Sequence, residues 1–179
     1  LKKNFPPYVK LHLEIIANLK DRRNLLKLIK KYWNLNPSSL MRSIITKILN
    51  ENNLTDVKLI KEIIKNDANS EESKKLLIYF AIKNLKWDIA RENIMGIIGS
   101  NPSRDTCFFM SDIELGENND KQKSDAWIMR AENANLDSTW ICRVSNQTQE
   151  EWSSLSNSGN YNSLVWTSPK MLRQNNLLI

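Results

Sequence analysis

The residues whose types and spacing point most clearly to chemistry lie in the last third of the chain. Cys142 and Ser145 stand where a two-knuckle zinc ribbon has its first Cys-x-x-Cys pair, and Ser156 and Ser158 stand near the second pair, one residue short. A closed zinc shell needs four ligands, which thiolates supply in a ribbon. Serine hydroxyls stay protonated near neutral pH and bind zinc poorly. The sequence therefore predicts a degenerate, metal-free ribbon.

No other group of residues predicts catalysis. His12 is the single histidine, and nothing beside it marks a nucleophile for Ser/His/Asp chemistry. Cys107 lies among aromatic residues, where a free cysteine acts as a small hydrophobe, so we expect it in the core. Glu114, Glu117 and Asp120 cluster around Gly116, and nothing in the sequence indicates the raised pKa that a general acid requires. Glu114 and Glu117 are expected to be exposed at a helix end. We therefore expect no enzymatic activity and no cofactor.

The composition favours helices and excludes several classes of protein. The 179 residues include only four glycines, and 41% of them are hydrophobic. No run approaches the roughly 18 apolar residues of a membrane-spanning helix. Two cysteines are too few for a disulfide framework. No glycine fingerprint of a dinucleotide-binding fold occurs.

The net charge of +6 is concentrated near the beginning of the chain. Residues 1–47 hold eleven lysines and arginines against two acidic residues. A basic region of this kind can meet nucleic acid, acidic lipid headgroups or an acidic protein, although charge runs are usually solvated surface. We expect no nucleic acid as a partner. A basic nucleic-acid-binding module remains an alternative, and it would show strongly salt-dependent affinity.

Apolar residues recur at helical spacing through the first three quarters of the chain, most regularly at 25–33 and 41–49. Prolines and serines with first-turn acids mark the starts of the helices. The predicted helices are 7–20, 23–35, 38–51, 55–66, 71–85, 88–99, 103–117 and 121–134. Alternate helices begin every 31 to 34 residues. Two helices per unit at this period are typical of tetratricopeptide repeats.

The predicted fold is therefore all-α, a right-handed array of about four tetratricopeptide-like helix pairs over residues 1–136. Serine and asparagine become dense afterwards, so we predict a short irregular ribbon-like cap over 137–168, in which 140–142 and 164–166 form either short strands or extended packing segments. Trp140, Trp152 and Trp166 are expected to hold this cap against the last helix pair, because the ends of a repeat array need covering. Residues 169–179 are expected to form a flexible tail.

Residues 103–166 resemble HemY, a family of bacterial tetratricopeptide proteins. Similar proteins carry an acidic helix, a glycine turn, an Ala-Trp helix ending in Arg-Ala, and a Trp-x-Cys-x-x-Cys knuckle. The residues that carry the resemblance are Arg-Asp-Thr-Cys at 104–107, Ile-Glu-Leu-Gly at 113–116, Lys-Ser-Asp-Ala-Trp-Ile-Met-Arg-Ala at 123–131, Leu-Asp-Ser-Thr-Trp-Ile-Cys at 136–142, and the framing Trp152 and Trp166. The earlier repeats match the family less specifically.

The resemblance implies a scaffold associated with a late step of protohaem biosynthesis at the bacterial inner membrane. It implies a membrane anchor upstream of Leu1, and it places this region on the cytoplasmic side. The expected partners are proteins, among them late haem-biosynthesis enzymes. A related repeat protein with a rubredoxin-like tail regulates lipopolysaccharide synthesis, so a general tetratricopeptide adaptor of that kind is the first alternative. A haem carrier using Cys142 or His12 is a further one.

The predicted binding surface is the concave face of the array, since stacked helix pairs form an extended groove lined by alternate helices. Positions on these helices are the candidates for contact with a partner. They are His12, Ile16, Arg42, Lys47, Tyr79 and Lys83.

Overall fold

The computed structural model describes residues 5–134 and 136–169, which form eight α-helices followed by a small β-sheet. The helices are α1 Pro6–Asn18, α2 Arg22–Leu35, α3 Ser39–Glu51, α4 Val57–Ile64, α5 Glu71–Lys83, α6 Trp87–Met95, α7 Arg104–Asn118 and α8 Lys121–Glu132. A 3-10 turn, Lys65–Asp67, follows α4. The strands are β1 Thr139–Cys142, β2 Thr148–Gln149 and β3 Leu164–Thr167. The predicted tail falls largely on residues 170–179, outside the described residues.

The signals read from the sequence start these helices as expected. Pro6 and Pro7 occupy the first turn of α1, where a missing N–H costs nothing. The side chain of Ser70 accepts a hydrogen bond from the Ser73 amide at 3.2 Å and caps α5. Asp120 caps α8 in the same way through the Lys123 amide. All eight predicted helices are present, and their ends differ from the prediction by four residues or fewer.

The odd-numbered helices contact one another in chain order, α1 with α3, α3 with α5 and α5 with α7. Helix pairs α1–α2, α5–α6 and α7–α8 also pack together, and α2 packs against α4. Trp33 of α2 is fully buried, and its indole N–H donates to Ser73 of α5 at 3.0 Å. The prediction of a mainly helical fold is confirmed.

Two apolar cores hold the helices together. The larger core joins α1 to α5, and Trp140, Cys142 and Leu164 of the sheet belong to it. The smaller core joins α5, α6 and α7, with Trp127 of α8 packed against it. Ile97 and Ile98 also pack against the smaller core, just beyond α6. This helix ends at Met95, earlier than predicted, before Gly96, a residue of low helix propensity.

The cap is more regular than predicted. Its three strands form an antiparallel sheet in the order β2-β1-β3. Trp140 pairs with Trp166 and Cys142 pairs with Leu164 across β1 and β3. Of the two alternatives for these segments, short strands are therefore the one observed. The protein is thus mainly helical, with a small sheet in its C-terminal region.

The prediction that this cap covers the last helix pair is wrong. The sheet and the loop after β2 pack instead against α1 and α3, more than 100 residues earlier in the chain. The indoles find an apolar surface there, the stripe of Leu40, Ile44 and Ile48 on α3. Within the described residues, no helix is both long and apolar enough to cross a membrane.

Candidate functional site

Two aromatic contacts dock the cap on the first helices, and a third holds two strands of the cap together. The indole N–H of Trp166 donates to the Ser39 hydroxyl at the start of α3, at 3.0 Å. The ring of Trp152 meets Phe5 edge to face, with ring centroids 5.3 Å apart. Trp140 and Trp166 pack edge to face at 5.5 Å. Such contacts favour one geometry over others, so they fix the position of the cap on α1 and α3.

Charged groups complete the docking at the rim. The carboxylate of Glu151, in the loop after β2, lies 2.9 Å from the ammonium of Lys10 on α1 and 3.4 Å from that of Lys47 on α3. The hydrogen bond from Lys10 is the main cause of a lowered pKa at Glu151, and the charges of both lysines add to it. One carboxylate therefore connects both helices to the cap.

An apolar groove lies between α1, α3 and the cap, and it is the principal candidate site. We call it the aromatic groove. Its cavity volume is about 470 Å³, within the range of small-ligand and peptide-anchor pockets. Its walls are aromatic and aliphatic, and its rim is charged. The apolar lining consists of Phe5, Pro7, Tyr8, Leu11, Leu40, Ile44, Ile48, Trp140, Trp152 and Trp166.

The four positions predicted to form a degenerate ribbon come together at the end of β1. Ser145 and Ser158 share a hydrogen bond between their hydroxyls at 2.7 Å, and Ser158 reaches Ser156 at 3.0 Å. The Ser158 hydroxyl also donates to the Cys142 sulfur at 3.5 Å. Ser163, which the sequence did not single out, lies 3.1 Å from the same sulfur. These residues therefore form one hydrogen-bonded cluster, which we call the serine cluster.

The serine cluster does not fit the metal of a ribbon. It offers one sulfur where a ribbon supplies four, and its hydroxyls are already paired with one another. Hydrogen bonds from Ser145 and Ser163 lower the pKa of the Cys142 thiol. The thiol itself is 1% exposed. Within residues 5–134 and 136–169, no group of three or more His, Cys, Asp or Glu side chains is placed to hold a metal ion.

A second polar site lies where α3, α5 and α7 meet, and we call it the ion network. Arg42 contacts Glu72 at 2.7 Å and Asp105 at 2.6 Å. The buried ammonium of Lys75 lies 3.0 Å from Asp105. Burial opposes the ionisation of Asp105, but Lys75, Ser103 and Arg42 together lower its pKa. The network joins three of the odd-numbered helices through complementary charges.

The six predicted contact positions do not lie on one common surface. Lys47 alone lines the aromatic groove, while Arg42 belongs to the ion network. The imidazole Nδ1 of His12 lies 2.7 Å from the Tyr32 hydroxyl, toward α2. Ile16 packs against the larger core. Tyr79 and Lys83 both hydrogen-bond to Asn50, at 2.9 and 2.5 Å, and so connect α5 to α3.

The carboxylates near Gly116 differ from the prediction in one respect. Glu114 is buried, not exposed, and Arg91 of α6 lies 3.0 Å from it. The hydrogen bond from Arg91 lowers the pKa of Glu114, the opposite of what general-acid catalysis needs. Cys107 is fully buried, as predicted, and burial raises the pKa of its thiol.

The groove residues that sequence reasoning missed are those on α1 and in the loop after β2. Phe5, Tyr8 and Glu151 carry no motif, and only their juxtaposition makes a site. Trp152 was assigned to the cap, although its partner on α1 was not foreseen. The groove offers apolar contact area, and its rim carries both positively and negatively charged side chains.

No family model matches the chain, and neither does any curated protein or solved structure with which it was compared.

Proposed function

We propose that the protein is a non-catalytic interaction scaffold that binds another protein through the aromatic groove. The observation that carries the proposal is the placement of Trp140, Trp152 and Trp166 beside α1 and α3. Together they line an open cavity whose walls are mainly apolar. Contiguous apolar patches of this kind mark binding sites. Tryptophan and tyrosine also supply much of the binding energy at protein interfaces.

The chain of contacts from α1 through α3 and α5 to α7 supports a finer proposal, a tetratricopeptide-like array. In such an array the alternate helices line one extended surface, on which a partner binds. The aromatic groove would occupy the beginning of that surface, where the cap adds a second wall.

The motif resemblance to HemY supports a role beside late haem-biosynthesis enzymes at the bacterial inner membrane, with this region on the cytoplasmic side. In that role the groove would hold one enzyme of the pathway, and the rest of the array would be free for another. A general repeat adaptor, such as a regulator of lipopolysaccharide assembly, is the rival explanation for the same groove.

Co-purification with a groove variant tests the proposal. Trp152→Ala removes one wall of the groove, and Tyr161→Ala is the control, because Tyr161 is 78% exposed and lies outside the groove lining. After cross-linking in membranes, the parent protein and Tyr161→Ala should retrieve late haem-pathway enzymes, and Trp152→Ala should lose them. Circular dichroism would check that both variants fold.

Two results would overturn the proposal or redirect it. If no haem-pathway enzyme is retrieved and the porphyrin profile is unchanged after deletion, the haem assignment fails. If deletion instead alters the pool of lipid A precursors, the lipopolysaccharide adaptor takes its place. If Trp152→Ala retrieves the same partners as the parent, the aromatic groove is not the binding surface.

A further inference from the structure

Two smaller cavities continue the aromatic groove along α1. The first shares Glu14 and Ile48 with the aromatic groove and has a volume of about 340 Å³. The second, of about 170 Å³, shares Ala17 and Asn52 with the first. The three cavities therefore adjoin in sequence between α1 and α3. We call the whole depression the α1–α3 trough.

The charge of the trough changes along its length. At the cap end, Lys10 and Lys47 both pair with Glu151, so the aromatic walls dominate there. The middle cavity is lined by two carboxylates, Glu14 and Glu51.

The negative charge of Glu14 is only weakly neutralised by its neighbour Lys10. Its carboxylate lies 3.9 Å from the ammonium of Lys10, which is closer to Glu151 at 2.9 Å. The middle of the trough is therefore acidic.

The far end of the trough is basic. Lys20 and Arg22 line its last cavity, on either side of the junction between α1 and α2. Asp21 lies between them in the sequence, but its carboxylate accepts a hydrogen bond from the Asn24 amide at 3.0 Å and caps α2. Its charge is thus directed to the helix terminus, where a carboxylate is favoured.

We propose that the α1–α3 trough binds an extended peptide segment in one direction, with an aromatic residue in the aromatic groove, a basic residue at Glu14 and Glu51, and an acidic residue at Lys20 and Arg22. The inference rests on the proposed scaffold function and specifies the partner's chemistry. The order of charges selects both the sequence and the polarity of the ligand, as complementary charges do at other interfaces.

The length of the trough sets the spacing in the ligand. Leu11 lines the aromatic groove, and Lys20 lines the last cavity just beyond Asn18, where α1 ends. Nine residues at the rise of a helix span about 14 Å. An extended peptide rises about 3.3 Å per residue, so the aromatic and acidic residues should be about four positions apart. The basic residue then stands between them.

The test uses the 179-residue protein and two fluorescently labelled pentapeptides. The first has tryptophan, lysine and aspartate at positions one, three and five, and the second exchanges the lysine and the aspartate. Fluorescence anisotropy should show the first peptide binding about fivefold tighter, because each exposed charge contact is worth a fraction of a kcal/mol. The preference should shrink at high salt, since exposed charges are screened.

A charge-exchange variant makes the test specific. Glu51→Lys combined with Arg22→Glu changes the sign of the charge at two exposed positions of the trough. Each subsite then holds one charge of each sign, because Glu14 and Lys20 remain, so the preference between the peptides should be abolished. Glu132→Lys is the matched control, because Glu132 is exposed on α8, away from the trough; it should leave the preference unchanged.

The outcomes separate this inference from the proposed function. Equal affinity for the two peptides, or a preference that the charge-exchange variant does not alter, overturns the directional peptide site. If neither peptide binds while Trp152→Ala still loses its partners in membranes, the scaffold function stands and the extended-peptide inference fails. If Trp152→Ala keeps its partners while the peptides discriminate as predicted, the trough is a peptide site and the proposed groove function fails.

Discussion

The helical array and the C-terminal cap are built from contacts of different range. The array joins mostly elements that follow one another closely in the chain, and most of its helices carry an apolar stripe and a start signal. The cap depends on partners far away, because Trp166 binds Ser39 across 127 positions and Glu151 binds Lys10 across 141. The cap therefore does more than end the array. It returns to the first helices and forms one wall of their groove.

The two regions also satisfy their buried polar groups differently. In the array, the ion network connects α3, α5 and α7 through full charges at short distances. In the cap, the serine cluster uses neutral hydroxyls and one sulfur. Loss of one partner should therefore cost more in the array, where buried charges would lose part of their compensation, than in the cap.

Replacing Trp33 with alanine should have the largest effect. Its indole is fully buried between α2 and α5 and donates to Ser73, and removal of a buried large aromatic side chain costs about 3–5 kcal/mol. The free energy of unfolding, measured by urea titration with circular dichroism, should fall by this amount. Trp127→Ala, at a half-buried position, should cost less. An equal loss in the two variants would contradict the expectation that Trp33, in the larger core, contributes more to stability than Trp127, beside the smaller core.

Asp105→Asn should destabilise the array and change its response to acid. Lys75 and Arg42 would lose their shared carboxylate, at a cost of about 2–3 kcal/mol for this largely buried network. Because the pKa of Asp105 is lowered below 3.8 in the folded state, its contribution is present above that value and is lost as the pH falls further.

Stability measured from pH 7 to pH 2 should show this dependence in the parent protein and a weaker one in Asp105→Asn. Asp112→Asn is the control, because burial raises the pKa of Asp112, so its loss should not weaken the acid dependence. An unchanged acid profile in Asp105→Asn would show that the ionised carboxylate of Asp105 contributes nothing to stability.

Trp166→Phe tests the docking of the cap with a smaller change. The ring is kept, but the hydrogen bond to Ser39 is lost, at a cost of about 0.5–1.5 kcal/mol. Hydrogen exchange should become faster at the amides of β1 and β3 while those of α5 and α6 are unaffected. Faster exchange throughout the array would mean that the cap is needed for the helices as well as for the groove.

Chelation should have the smallest effect. Because the serine cluster supplies one sulfur and paired hydroxyls, we expect no stoichiometric zinc or iron in the purified protein, and EDTA should leave its Tm unchanged. Ribbons that depend on zinc unfold when the metal is removed. A bound equivalent of metal, or a lower Tm in EDTA, would contradict the hydrogen-bonded structure of the cluster.

The helices were predictable because their signals are local. The stripe at 41–49 and the cap at Ser70 act within a few residues, so α3 and α5 begin where the sequence placed them. The burial of Glu114 was not predictable, since it depends on Arg91 of another helix. His12 was predicted to contact a partner on the concave face, but its imidazole hydrogen-bonds with Tyr32. The rotation of α1 about its axis is fixed by packing against α2 and α3.

The sequence by itself determined the helices and the absence of four thiolate ligands, since these follow from side-chain chemistry and spacing within short segments. It indicated extended segments near 140–142 and 164–166, but only their pairing makes them strands. Tertiary structure alone decided where the cap lies. Its tryptophans need an apolar surface, and several helices offer one; the combined fit of Ser39, Phe5 and the two lysines selects α1 and α3. The aromatic groove exists only because residues at opposite ends of the chain meet there, and no local pattern records that meeting.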